Sequence, residues 1–236
     1  AQRNDGIWIN LFAGSNTSIT MPKGDVDVKM ETNYPWEGTV KINVSTVKKM
    51  RFNMHLRIPG YVNGIAAPGA LYHFADTASA KPMIKINGIA VSYTVEKGYA
   101  VINREWKKDD VVEMTIPMAI KKIIARDELK QDNDRMALQL GPLIYCFEGA
   151  DNNGKAWNFI MPANADFKVE NFKVKDESVI ALVSNLPVVN VNADGTALTT
   201  GLQQVKAIPY YTWCNRGSNP MQVWLPVKIK DIKINN

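Results

Sequence analysis

Residues 51–58 read Arg-Phe-Asn-Met-His-Leu-Arg-Ile, in which polar and apolar side chains alternate without a break. Successive side chains of a β-strand point to opposite faces of the sheet, so this alternation predicts a strand with one buried and one solvated face. The side chains predicted to face a core are Phe52, Met54, Leu56 and Ile58. The side chains predicted to face solvent are Arg51, Asn53, His55 and Arg57.

The same two-residue period continues along the chain on both sides of this stretch. It runs through residues 25–32, 39–44 and 227–234. Residue pairs that tolerate the positive φ of tight turns separate the runs, and the clearest is Asn87-Gly88. Similar pairs are Asn63-Gly64, Asn153-Gly154 and Asp194-Gly195. Short alternating strands with regular turns predict an all-β protein built from antiparallel, jelly-roll-like β-sandwiches.

A polar stretch interrupts the alternation at residues 121–135, which are rich in Lys, Asp, Glu, Arg and Asn. The chain has 236 residues, and at ~150 residues per domain this length suggests one or two domains. We therefore predict two β-sandwich domains, over residues 1–120 and 121–236. The one helical candidate lies at residues 119–129, and this segment has no clear amphipathic face.

Composition and charge argue against several classes of partner. The formal net charge is +5, but the lysines are scattered along alternating segments instead of forming a basic block with interleaved aromatics. We therefore expect no nucleic-acid partner. The longest apolar runs are far shorter than the ~20 residues of a membrane helix, so no membrane partner is expected. The chain starts at Ala1 and enters a predicted strand by Ile7 without a leader, so we expect it to be a piece of a longer protein.

The cysteines and histidines do not form a recognisable metal or catalytic motif. Cys146 and Cys214 lie far apart in sequence, and neither belongs to a C-x-x-C pair. They could form a disulfide in an oxidising compartment, and two buried free thiols are the favoured alternative. His55 is expected on an outer strand face and His73 in a loop, and neither has a nucleophile motif beside it.

The acidic residues give no catalytic pair either. A typical glycosidase places two carboxylates across a bound sugar. The candidates gather at one predicted strand–turn–strand segment, where Lys107-Lys108-Asp109-Asp110 is typical of a charged hairpin turn: Glu105, Asp109, Asp110 and Glu113. We interpret them as a hairpin and not as a catalytic centre.

Two aromatic clusters are the main binding candidates. Asn33-Tyr34-Pro35-Trp36 ends a predicted strand, and Tyr210-Tyr211-Thr212-Trp213 precedes Cys214-Asn215-Arg216-Gly217. Exposed aromatic rings can stack on sugars, while amide and guanidinium groups hold hydroxyls; buried aromatics instead fill a sandwich core or a domain interface. Both alternatives stay open for the candidate contact residues, which are Trp36, Tyr210, Tyr211, Trp213, Asn215 and Arg216.

Eight motifs follow one another in a specific order. They are WINLFAGS (8–15), ETNYPWEG (31–38), LRIPG (56–60), ING (86–88), REWKKDD (104–110), MALQLGPLIY (136–145), IPYYTWCNRG (208–217) and MQVW (221–224). Together they resemble the non-catalytic C-terminal half of the β-L-arabinofuranosidases of glycoside hydrolase family 127. Cys214 stands where the family usually has alanine.

The resemblance implies that this chain has a non-catalytic role. Members of this family hydrolyse terminal arabinofuranose in a preceding (α/α)6 barrel, where a zinc site of three cysteines and a glutamate holds the cysteine nucleophile and another glutamate is the acid/base. No position here matches those motifs, so we expect no catalytic residue, metal or cofactor in this chain, and zinc in the barrel.

The resemblance also implies partners and a location. The expected partner is the protein's own N-terminal catalytic barrel, which these β-domains would support. The alternative is a carbohydrate-binding module for arabinose-containing glycans, and a homo-oligomer stays open. The parent protein is expected in the periplasm or outside a bacterial cell, although this chain carries no signal that would indicate it.

Overall fold

The alternating stretch at residues 51–58 forms a strand, and strands dominate the rest of the chain. The computed structural model describes residues 1–3, 6–78, 80–192 and 198–229. Within them the fold is all-β, as predicted, and its named helical segments are short 3₁₀ turns at Gly60–Asn63, Gly149–Asp151 and Tyr210–Thr212. The predicted turn at Asp194-Gly195 and most of the strand predicted over 227–234 lie outside the described residues.

The strands are numbered here in chain order. They are β1 Gln2–Arg3, β2 Gly6–Ile9, β3 Ser15–Met21, β4 Gly24–Thr32, β5 Thr39–Thr46, β6 Met50–Arg57, β7 Tyr72–Phe74, β8 Met83–Ile86, β9 Ile89–Ala90, β10 Thr94–Glu96, β11 Tyr99–Trp106, β12 Asp110–Thr115, β13 Ile120–Ala125, β14 Arg135–Leu140, β15 Leu143–Glu148, β16 Lys168–Val174, β17 Glu177–Val191, β18 Leu198–Pro209, β19 Met221–Gln222 and β20 Leu225–Pro226. No helix among the described residues has the length and apolar character needed to cross a membrane.

The chain divides into two compact units. Unit 1 contains residues 1–65 and 78–118, and unit 2 contains residues 66–77 and 119–236. Residues 66–77 lie between two segments of unit 1 in the sequence but belong to unit 2. A single boundary position therefore cannot separate the two units. Whether segments 1–120 and 121–236 fold as separate domains stays a prediction.

Unit 1 is a sandwich of two sheets. The strand order is β1-β2-β6-β11-β10 in the first sheet and β3-β4-β5-β12-β8-β9 in the second. The pairs are antiparallel except for β2 with β6. One hydrophobic core joins apolar side chains from both sheets, such as Phe52 and Trp106 from the first and Ile42 and Met114 from the second. Burial of such side chains contributes about 1.5–3 kcal/mol each, which makes this core the main stabilising element.

The turns of unit 1 follow the sequence signals. Asn87 and Gly88 have φ of 52° and 80° and join β8 to β9, as the Asn-Gly pair predicts. On β6 the predicted core residues are all buried, but the prediction that His55 faces solvent is wrong. Its ring stacks on Trp8, with centroids 3.7 Å apart, and meets the edge of Tyr99. These two aromatic neighbours cover the imidazole on the outer face and bury His55 to 8% exposure.

Unit 2 is built on one nine-stranded sheet. Its main path runs β16-β17-β18-β15-β14-β13-β7, and β19 and β20 pair with β15 and β14. The helix predicted at residues 119–129 is wrong, because β13 occupies Ile120–Ala125 and is paired on both sides, with β14 and with β7. His73 likewise lies in a strand and not in a loop, because it belongs to β7 and pairs with Ile124 of β13.

Aromatic side chains fill the core of unit 2 next to β15. The Phe147 ring lies 6.0 Å from that of Phe159 and 6.3 Å from that of Phe167, both of which come from the long connection between β15 and β16. Tyr145, also buried, donates a hydrogen bond of 2.9 Å to the carbonyl of Ile180. This connection therefore covers one face of the sheet and brings Trp157 to the surface beside it.

Candidate functional site

The six predicted contact residues fall in both units. Trp36 lies in unit 1, and the other five lie in unit 2, on the segment that follows β18. Each group is therefore described by itself.

Trp36 stands on a tight turn between β4 and β5. Its N–H donates to the carbonyl of Asn33 over 2.9 Å, and its side chain is 40% exposed. Two residues earlier, Tyr34 packs edge-on against Phe12 at 5.5 Å. Tyr34 also hydrogen-bonds Tyr61, and burial raises the pKa of both phenols.

Two exposed apolar side chains lie on the segments that carry Phe12 and Tyr61. Leu11 precedes Phe12 and is 74% exposed, while Ile65 is exposed and its N–H donates to the carbonyl of Gly60 over 3.0 Å, which joins it to the turn that carries Tyr61. We call the group the Trp36 cluster, and its members are Leu11, Phe12, Tyr34, Trp36, Tyr61 and Ile65. Three of its members are exposed, namely Leu11, Trp36 and Ile65.

Arg216 is held inside unit 2 by two carboxylates. Its guanidinium donates to Asp151 Oδ1 over 2.6 Å and also bonds Glu148. The hydrogen bonds to Asp151, followed by those to Glu148, raise the pKa of Arg216 above its ordinary value. Since its side chain is only 19% exposed, Arg216 anchors the loop from within.

The neighbours of Arg216 divide between packing and exposure. Trp213 packs against the small core cluster that contains Cys146 and Ile208. The Asn215 side chain stabilises its own loop, because its amide donates a hydrogen bond to the carbonyl of Thr212 over 3.1 Å. Tyr210 and Tyr211, in contrast, are exposed.

A pocket of about 560 Å³ opens in unit 2, and Tyr210 is part of its wall. Its wall also contains Asp132, Arg135, Trp157, Gln222 and Trp224. Of the predicted contact residues in unit 2, the structure brings only Tyr210 into this wall. Trp157 and Trp224 were missed, although Trp224 closes the MQVW motif.

The Trp224 side of the pocket is braced by neighbouring residues. Its ring stacks on Tyr72, with centroids 5.3 Å apart and planes 27° apart. Its carbonyl accepts hydrogen bonds from Arg135 Nη1 at 3.0 Å and from Gln222 Nε2 at 2.6 Å. The Tyr72 hydroxyl in turn donates to Asp132 Oδ2 over 3.4 Å. One aromatic wall is thus fixed in place before any ligand arrives.

The acidic residues of the β11–β12 hairpin have structural partners. Asp110 is fully buried, and accepts hydrogen bonds from the side chain of Asn87 at 2.8 Å and from the N–H of Lys107 at 3.0 Å. Glu105 lies 3.7 Å from Lys49. Among the described residues, no group of three or more His, Cys, Asp or Glu side chains is placed to hold a metal ion.

The two cysteines are both free, and their surroundings differ. Cys146 is fully buried, and burial, followed by the nearby charge of Glu148, raises its pKa to about 12. Cys214 is exposed, so the expectation of two buried thiols is wrong for this residue. It lies on the anchored loop, where its backbone has a φ of 65°.

Comparisons with known families define the class of protein. Residues 6–118 match the model described as "Beta-L-arabinofuranosidase, GH127 middle domain". Residues 120–226 match the model described as "Glycoside hydrolase family 127 C-terminal domain". The chain belongs to glycoside hydrolase family 127, of which it holds the middle and C-terminal domains, as the motifs predict.

Similar proteins agree with this assignment. A non-reducing end beta-L-arabinofuranosidase of Bifidobacterium longum subsp. longum is 29% identical over 84% of this chain and 30% of its own length. A solved GH127 beta-arabinofuranosidase has a TM-score of 0.91 and 31% identity, covering 98% of this chain and 36% of that one. A GH127 beta-L-arabinofuranosidase from Geobacillus stearothermophilus T6 has a TM-score of 0.82 and 30% identity, covering 96% and 34%. The chain therefore spans about a third of the length of these relatives.

Proposed function

We propose that this chain is the non-catalytic β-sandwich accessory region of a β-L-arabinofuranosidase-like glycoside hydrolase, and that it supports an (α/α)6 catalytic barrel. Its match to a middle and a C-terminal domain favours a supporting role. Three buried carboxylates also favour this role, because each forms a hydrogen bond or an ion pair within its own unit: Asp110, Glu148 and Asp151.

The Trp36 cluster carries the proposal. Leu11, Trp36 and Ile65 are exposed in this chain, although their immediate neighbours are packed. A contiguous exposed apolar patch of a few hundred Å² is typical of an interaction site, and we infer that these three side chains belong to one. The catalytic barrel is the occupant we propose, because this chain spans only about a third of the length of its relatives. Burying one leucine such as Leu11 against a partner contributes about 1.5–3 kcal/mol.

The test places a charge in the cluster in two settings. Leu11→Asp in the 236-residue chain alone should leave the unfolding midpoint nearly unchanged, since the side chain is 74% exposed. In the full-length protein the same substitution should destabilise the assembly by about 2 kcal/mol or more and lower the hydrolysis of a chromogenic arabinofuranoside. Thermal unfolding and activity are measured on both proteins.

The matched control is Val47→Asp, which introduces the same charge at another exposed apolar position of unit 1. It should have little effect in either setting. Equal, small effects of Leu11→Asp and Val47→Asp in the full-length protein would contradict docking through the Trp36 cluster.

A second candidate function is the binding of arabinose-containing glycans by unit 2. The pocket beside Tyr210 favours it, because exposed aromatic rings and hydrogen-bonding side chains line the same cavity. The two functions are compatible, since the cluster and the pocket belong to different units.

A further inference from the structure

We propose that the pocket of unit 2 lined by Trp157, Tyr210 and Trp224 binds a neutral saccharide. This inference names a site for the glycan-binding candidate and rests on it, and it is independent of the supporting role. The volume of about 560 Å³ lies within the roughly 300–1,000 Å³ of typical small-molecule sites.

The aromatic side chains provide the apolar part of the recognition. Trp157 is 36% exposed and Tyr210 49% exposed, so both rings reach solvent in the unliganded chain. The Trp224 ring is fixed by its stack on Tyr72 at 5.3 Å. A sugar ring has a face of C–H groups that packs against an aromatic plane, while its hydroxyls stay free at the edge to form hydrogen bonds. A prearranged aromatic wall lowers the cost of binding such a rigid ring.

The charges of the pocket favour a ligand without net charge. Its lining residues include one acidic side chain, Asp132, and one basic side chain, Arg135, whose formal charges are opposite. A carboxylate accepts and a guanidinium donates, so together they match hydroxyl groups, which do both. An anionic or cationic ligand would meet one partner of like charge.

A buried amide also points to a missing donor. Gln222 lines the pocket and is only 7% exposed. Its Nε2 donates to the carbonyl of Trp224, while its Oε1 has no hydrogen-bond partner in the part of the chain that the structure describes. Buried polar atoms are normally paired, and this oxygen is enclosed by its neighbours, so a ligand hydroxyl would satisfy it only if the pocket wall moved.

The experiment titrates the 236-residue chain with arabinotriose, followed by calorimetry and by tryptophan fluorescence. We expect saturable, weak binding, with a dissociation constant on the order of millimolar. Trigalacturonic acid, which has a similar number of rings but carries carboxylates, should bind more weakly than arabinotriose. Xylotriose tests the class of sugar: binding equal to arabinotriose supports a general saccharide site, and weaker binding supports a pentofuranose site.

A variant in the pocket and one outside it form a matched pair. Trp157→Ala should weaken binding of arabinotriose by roughly tenfold, the loss expected for one aromatic stack. Leu202→Ala removes an exposed apolar side chain of unit 2 that does not line the pocket, and it should leave the affinity unchanged. Thermal unfolding of both variants shows that they are folded.

The proposal is overturned if none of the neutral trisaccharides binds, or if Trp157→Ala binds arabinotriose as tightly as the unaltered chain. Tighter binding of trigalacturonic acid would also overturn it, because the site would then select an anion. None of these results bears on the Leu11→Asp test, so failure of this site and failure of the supporting role are distinguishable.

Discussion

Replacement of Arg216 by Met should destabilise unit 2 strongly. Arg216 bonds Asp151 and Glu148, whose side chains are only 5% and 1% exposed. The substitution keeps much of the side-chain volume and removes the charge, so two carboxylates would remain buried without their cation. Removal of one partner from a buried ion pair costs about 3–5 kcal/mol.

The lower end of this range applies here, because the Arg216 side chain keeps some exposure and water can reach the cavity that it leaves. We therefore expect a loss of about 3 kcal/mol in the free energy of unfolding. A triple variant that also carries Glu148→Gln and Asp151→Asn removes the unpaired charges and should recover at least about 1.5 kcal/mol of this loss.

Urea unfolding followed by tryptophan fluorescence measures both effects. The control is Arg126→Met, which removes an arginine from an exposed pair with Glu128 and should cost less than about 1 kcal/mol. A similarly small cost for Arg216→Met, or a triple variant no more stable than the single one, would refute the argument that this buried pair anchors the loop.

The remaining predictions concern the two thiols and the β11–β12 hairpin. Native chain at pH 8 should expose only the Cys214 thiol to a chromogenic disulfide reagent, and a second thiol should react only in urea, because Cys146 is buried. Burial raises the pKa of Cys146 from 9.0 to about 12, so the stability linked to its protonation is present below pH 9 and is lost between about pH 9 and 12. In that pH window the urea midpoint of Cys146→Ala should fall less steeply with pH than the midpoint of the unaltered chain, and equal slopes would contradict this. Asp110→Ala should cost about 1.5–3 kcal/mol in urea unfolding, because the buried carboxylate accepts hydrogen bonds from Asn87 and Lys107. Asp109→Asn, on the exposed turn beside it, should change stability by less than about 0.5 kcal/mol, and equal effects of the two would contradict the role of Asp110.

Local pattern predicts much of this fold because strand periodicity and turn chemistry are local properties. The alternation on β6 places Phe52 and Met54 in the core, and the Asn87-Gly88 pair adopts the positive φ angles that a tight hairpin requires. Where the prediction fails, a distant partner decides the structure. Residues 120–125 form a strand because β7 and β14 pair with them, and the local sequence pattern of these residues does not indicate this pairing.

The candidate site was less accessible from the sequence. Tyr210 was identified from a dense aromatic run, but the pocket that it lines is completed by Asp132 and Trp157 from distant segments. The partners of Arg216 were also hidden, since Glu148 precedes it by 68 residues. An aromatic or charged residue can be recognised locally, whereas its exposure and its partners depend on the tertiary structure.

The central claim is that this region docks against a catalytic barrel through the Trp36 cluster. Hydrogen exchange, measured on the 236-residue chain alone and on the same residues within the full-length protein, tests it most directly. The account predicts slower exchange in the full-length protein for peptides that cover residues 10–12 and 33–38, with little change around the β5–β6 turn at Val47. Equal exchange of the cluster peptides in the two proteins would contradict it.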